Sequence, residues 1–181
     1  MNHASIRPAR QATETRAATA PPAGAAVRRI AADADWSCGI WLDVLILAWR
    51  GVTDEERALV ATSTMRELAR TRERFAVVVV VEPAAHPPGS DTRPLFAAAM
   101  RACGRQVVGV AYVVPTDGFR GAAIRSAITG LSLLAREAYP TKAFRSIGEA
   151  AAWVSPRVSS ETSVALLESA VDQVRRATPS P

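Results

Sequence analysis

FAVVVVVE, residues 75 to 82, decides the fold. From Phe75 to Val81 every position is apolar, and most of the run is valine. β-branched side chains are stiff at their first torsion and pack well on a pleated surface. A run that is apolar at every position, rather than at every second one, is the pattern of a strand covered on both faces. It is far too short to cross a bilayer, which takes about 20 residues in a helix. The chain is therefore expected to be built around a buried central strand with helices on it.

Upstream, IWLDVLILAWR (40–50) reads as a second strand of the same kind. Asp43 is its exception, placed near a strand end to meet solvent or to pair with an arginine. Trp41 and Trp49 are separated by an even number of residues, so one strand would put them on one face. Residues 26–32 read as a first strand, with DADWSCG (33–39) as the connection and Trp36 as the tryptophan expected at the surface. Thr53-Asp54-Glu55-Glu56 has the form of a capping box. The helix it opens runs to about Arg72 with the stripe Ala61, Met65, Leu68, Ala69.

Downstream, the prolines of EPAAHPPGSD (82–91) exclude helix and sheet. A helix from about Thr92 to Ala102 carries Leu95, Phe96, Ala99, Met100 and Cys103 on one side. Residues 106–114 form a strand, 119–136 a helix, and 142–144 a short strand. Ser146–Glu149 is a second capping box, opening a helix with Ile147, Ala150, Ala151 and Val154 on one face. The order β-β-α-β-α-β-α-β-α implies crossovers, hence an α/β domain with a mixed, mostly parallel sheet and helices packed on it.

Three segments follow. Residues 1–25 lack an apolar period and read as a disordered tail. Residues 26–155 form the α/β domain. Residues 156–181 form a linker and an extra C-terminal amphipathic helix, in which Val164, Leu167, Val171 and Val174 make a seam of under two heptads. Packing on its own domain is preferred for that seam, with a homodimer through 164–174 as the alternative.

Composition narrows the function. The net charge of +5 and a pI near 10.2 permit acidic partners. Many arginines, such as Arg7, Arg10, Arg16, Arg175 and Arg176, sit in or near the tails. No basic patch accompanies a reading element, so specific nucleic-acid binding is not expected. No transmembrane segment and no secretory signal are expected. Cys38 and Cys103 belong to no CxxC pair, so neither zinc nor dithiol chemistry is expected and a reducing cytoplasm fits. No cofactor is called for.

Two junctions carry site candidates. In VVPTDGFRGAAIR (113–125), Thr116 or Asp117 can cap a helix, Gly118 eases the turn, and Arg120, Gly121 and Arg125 could assist an anion at the helix start. The spacing is neither a P-loop nor GxGxxG, and an ordinary strand-to-helix turn is the preferred reading. Ser90, Asp91 and Thr92 are each good helix caps, and phosphate on Thr92 would meet the positive helix end. His86 is a loop histidine. An enzyme would require Glu82, His86 and Asp117 to converge in one cleft.

LAWRGVTDEE (47–56), FAVVVVVE (75–82), AYVV (111–114) and KAFRSIGEAAAWV (142–154) together resemble the STAS superfamily, the sulfate transporter and anti-sigma factor antagonist domains. The SpoIIAA-like branch is the nearer one, and the resemblance covers roughly residues 26–155. It implies a non-enzymatic regulatory domain that binds a protein partner, in a bacterium. The alternative it implies is a small-ligand or lipid-binding domain that uses a cavity between sheet and helices. The family's Asp-Ser-Ser-Gly phosphoacceptor motif falls on Ser90-Asp91-Thr92-Arg93, with Thr92 at the acceptor position and Arg93 in place of the glycine.

Overall fold

The computed structural model describes residues 26–116, 118–135, 139–159 and 162–177, so the N-terminal segment expected to be disordered lies outside the described residues. The stretch 40–50 is two strands rather than one. β2 (Trp36–Trp41) and β3 (Val44–Trp49) pair antiparallel, with Trp41 opposite Val44. Leu42 and Asp43 make the two-residue turn between them, and Leu42 takes a φ of 50°. Such turns normally place Asn or Gly at positive φ. A leucine there costs on the order of 1–2 kcal/mol, and its apolar side chain hid the turn in the sequence. Asp43, at the turn, pairs with Arg72 at 3.3 Å.

β1 (Arg28–Ala32) pairs antiparallel with β2, so the chain opens with a three-stranded meander where two strands were expected. The turn between β1 and β2 is built by Asp33. Its carboxylate accepts the backbone N–H groups of Asp35 at 2.7 Å and Trp36 at 3.0 Å. Arg57 then bridges Asp33, Asp35 and Asp54 at 2.9, 3.1 and 2.6 Å.

From β3 onward strands and helices alternate: α1 (Glu55–Thr71), β4 (Phe75–Val81), α2 (Arg93–Cys103), β5 (Val107–Val113), α3 (Gly118–Ala135), β6 (Thr141–Phe144) and α4 (Ile147–Val154). A single 3-10 turn, Ser155–Arg157, precedes α5 (Val164–Arg175). The sheet order is β1-β2-β3-β4-β5-β6, parallel from β3 to β6. Crossovers of one hand between strands added in one direction deliver every connecting helix to the same face. α1, α2 and α3 accordingly share one core with Leu45, Leu47, Phe75, Val77 and Val79. Ile46, Ala48, Val78 and Val80 point the other way and pack with α4 and α5. That two-sided cover is why 75–81 is apolar throughout.

Two further expectations shift. α1 is capped one residue later than the box suggested: the Asp54 carboxylate accepts the Arg57 N–H at 2.9 Å, while Thr53 is buried. Aspartate caps as well as a hydroxyl does. Trp36 is 3% exposed and stacks on Trp49 with ring centroids 5.0 Å apart. Trp41 and Trp49 stand on different strands and in opposite cores, so they share no face. Half of the box at Ser146 is as expected, with its hydroxyl accepting the Glu149 N–H at 3.2 Å, while the Glu149 carboxylate accepts from the Arg145 N–H at 3.0 Å.

The α5 seam turns inward. Leu167, Val171 and Val174 are buried against the sheet, and only Val164, at 39%, stays exposed. The 164–174 surface put forward for a homodimer is therefore largely spent within the chain. β2 makes room with small residues: Ser37 donates to the Val174 carbonyl at 2.6 Å, and a Cβ on Gly39 would lie 2.8 Å from Val174 Cγ2. Gly109 of β5 plays the same part for α4, because a Cβ there would meet the Trp153 ring at 2.9 Å. The other neighbours of that ring are the Arg157 guanidinium, 4.0 Å from its centroid, and Phe144.

Gly109→Val should displace Trp153 and cost about 2 kcal/mol through overpacking, read as a lower urea midpoint at unchanged slope. Asp33 yields a pH effect. Burial pushes its carboxyl up, but the bond from Arg57, the N–H groups of Asp35 and Trp36 and the Arg57 charge outweigh it, so its pKa lies below the ordinary 3.8. The stabilisation is present above that value and lost as pH falls through the lower folded one. Asp33→Asn should thus destabilise at about pH 6, and the gap to wild type should close towards about pH 2.

Candidate functional site

The parallel strands β3, β4 and β5 end together at Trp49, Val81 and Val113, and ligands of open α/β sheets favour that end. A cavity of about 90 Å³ lies there on the α1–α3 side. Leu47, Val77, Val79 and Val110 form its floor. Met65 of α1, Phe96 and Met100 of α2, and Ile124 and Ile128 of α3 form its walls. The inward face of α2 includes Ala97 and Ala99, both buried.

The mouth is made by the β4–α2 loop. Its backbone is pinned across the end of β3: Glu82 N–H donates to the Trp49 carbonyl at 2.8 Å, and His86 N–H to the Gly51 carbonyl at 3.0 Å. Pro87 and Pro88 stiffen the rim. Thr53, His86, Pro87, Pro88 and Arg93 line the opening. His86 and Arg93 are exposed, whereas Thr53 is buried. Arg93 Nε donates to the Pro88 carbonyl at 2.8 Å.

The candidates at the α2 start separate. Thr92 occupies the N-cap position but makes no side-chain cap bond, and it is 4% exposed with its hydroxyl directed to the Gly89 carbonyl at 3.4 Å. Ser90 and Asp91 are exposed and bonded to each other at 2.9 Å. At the β5–α3 junction, Asp117 and the Arg120 side chain lie outside the described residues. Gly118 has a φ of 72°, the left-handed region that glycine tolerates. Gly121 is buried with the Thr116 carbonyl against it, so that a Cβ there would overlap that oxygen. Arg125 Nη1 reaches the same carbonyl at 3.5 Å. Gly121 and Arg125 therefore serve the turn itself.

Glu82 and His86 do not meet. Glu82 accepts from Arg175 Nε of α5 at 2.6 Å, on the other side of the sheet from the cavity that His86 lines. Among the described residues, no group of three or more His, Cys, Asp or Glu is placed to hold a metal. Also among the described residues, no helix is long and apolar enough to cross a membrane. Sequence reasoning identified Met65, Phe96 and Met100 as inward-facing but had no means of telling a filled core from a hollow one. The methionines were the available hint, since flexible thioethers fill irregular gaps. Comparison with family models, with curated proteins and with solved structures gave no match to this chain.

Both cysteines are free and buried. Burial pushes the Cys38 thiol up to about 12, against the opposing pulls of a Thr64 hydrogen bond and the Arg28 charge. Burial also raises Cys103, with Arg66 opposing it. A thiol so protonated is a poor nucleophile. Neither should be alkylated by iodoacetamide in the native protein at about pH 8, and both should react in urea. Fast native labelling, read by mass spectrometry, would show an opening of one of the cores.

Proposed function

We propose that this chain is a STAS-like, non-enzymatic binding domain that takes a small apolar ligand into the cavity between β3–β5 and α1–α3. The observation that carries the reading is the cavity itself, a mostly apolar void at the carboxyl ends of parallel strands under a pinned, proline-rich rim. An unfilled void of that size forfeits roughly 2 kcal/mol at about 24 cal/mol per Å³, which a ligand can recover. A cavity of about 150 Å³ holds benzene. Some 90 Å³ suits a short or branched aliphatic group, on the order of four to six carbons, and Met65 and Met100 can repack around more.

Several features support this reading. The segments resembling the STAS superfamily contribute the end of β3 and the start of α1, all of β4, part of β5, and β6 with α4. The lining lacks a paired nucleophile and base, and Glu82 is engaged by Arg175. The regulatory role attaches to the same place. The exposed Ser90-Asp91 pair sits on the loop that forms the mouth, so a protein partner docking there would sense whether the cavity is filled. Ser90, rather than the buried Thr92, is the residue of this loop open to modification.

1-Hexanol titrated into the full chain should bind saturably and change tryptophan fluorescence, because Trp49 lines the cavity. Ile128→Phe, which narrows the cavity from its α3 wall, should weaken that binding at least tenfold with the thermal midpoint preserved. Unchanged affinity in Ile128→Phe would locate the alcohol elsewhere and defeat the proposal.

A further inference from the structure

We infer that the natural ligand of this cavity is an amphiphilic anion, an aliphatic group carrying one carboxylate, whose head is held at the mouth by Arg93. The inference rests on the cavity reading above and adds the chemistry of the head. Of the residues lining the cavity none is acidic, and its two ionisable nitrogen bases, His86 and Arg93, both stand at the opening. The floor and walls are mostly apolar, with Tyr112 and Trp49 the residues there that carry a polar atom on the side chain. The site thus has an apolar end and a basic end, which is the complement of an amphiphilic anion.

The state of Arg93 differs from that of the arginines locked into ion pairs. Arg57 is surrounded by Asp33, Asp35 and Asp54, Arg175 is held by Glu82 and Asp172, and Arg72 is paired with Asp43. Arg93 has no carboxylate partner among the described residues, and its one side-chain bond is from Nε to the Pro88 carbonyl. That bond fixes the guanidinium plane at the rim and leaves its outer edge for a ligand. A planar fork with parallel N–H donors matches a carboxylate in a two-pronged arrangement. Thr53, a buried residue, adds a hydroxyl to the lining that is able to donate to the same head. A single arginine suits a singly charged head better than a phosphate, for which clusters of arginine are the usual answer.

The test compares hexanoate with 1-hexanol by calorimetry on the full chain at neutral pH, in wild type, Arg93→Gln and Arg93→Lys. Hexanoate should bind wild type at least fivefold tighter than hexanol, and added salt should reduce that preference. Arg93→Gln should bring the two to within twofold, chiefly by weakening hexanoate, and Arg93→Lys should restore part of the preference. Equal affinities in wild type, or a preference that survives Arg93→Gln, would overturn the assignment of the head and leave the apolar cavity reading standing. Hexyl phosphate binding tighter than hexanoate would replace the carboxylate with a phosphate. Failure of both hexanol and hexanoate to bind would overturn the cavity reading and this inference with it.

Discussion

Arg50 holds the two halves of the structure together. It follows the last residue of β3, and its guanidinium donates to backbone carbonyls from two distant segments. Asp33 and Trp36 accept at 2.8 and 2.9 Å and Ala34 at 3.2 Å, which fixes the β1–β2 turn. The Arg175 carbonyl accepts at 2.8 Å, at the last turn of α5. Carbonyls at a helix C-terminus lack partners within the helix and carry its negative end, so a cation there satisfies both needs. The Ser37 hydroxyl joins the same cluster, accepting from Arg50 at 3.2 Å and donating to Val174. Arginine is the side chain with five donors in a rigid fork, and no other residue type could serve this many carbonyls at once.

That clasp matters because the topology leaves one face of the sheet bare. Sequential strand order sends α1, α2 and α3 to the same side, so β3 and β4 would otherwise expose Ile46, Val78 and Val80. α4 is short, and α5 completes the cover. Leu167 alone is fully buried by it, a side chain whose burial is worth about 2 kcal/mol. The close approach depends on small residues, Ser37, Gly39 and Gly109, at the points where the helices come down. On the opposite face α1, α2 and α3 leave a cavity between themselves and the sheet. One face is closed by glycine-permitted contact, and the other keeps a cavity walled by long side chains of α1, α2 and α3.

How legible each part was depends on how local its cause is. The central strand 75–81, the helix stripes and the Ser146 cap follow from side chains within a few residues of one another, and the sequence displays them. The β2–β3 turn was hidden because its residues, Leu42 and Asp43, are not the usual turn formers, and the strain at Leu42 is carried by pairing on both sides. Trp36 was read as exposed because its surroundings resemble a loop, yet Trp49 receives it across the hairpin. The inward set of α5 was legible from its spacing. Its destination was settled by Arg50, more than a hundred residues away in the chain. Of the site residues, Ser90, Asp91, Gly118 and His86 were noticed, while Arg93 was read only as a departure from a motif.

The sequence by itself determined the class of fold, the order of most elements and the absence of alternation that demands cover on both faces, because periodicity and capping are properties of neighbours. Only the tertiary structure decided which arginine clasps the chain, which glycines admit a helix, and where the core is left hollow. Those are outcomes of volumes and donors meeting across long separations: a void is defined by side chains from six elements at once, and a cation's meaning by whether an anion within the fold has already answered it.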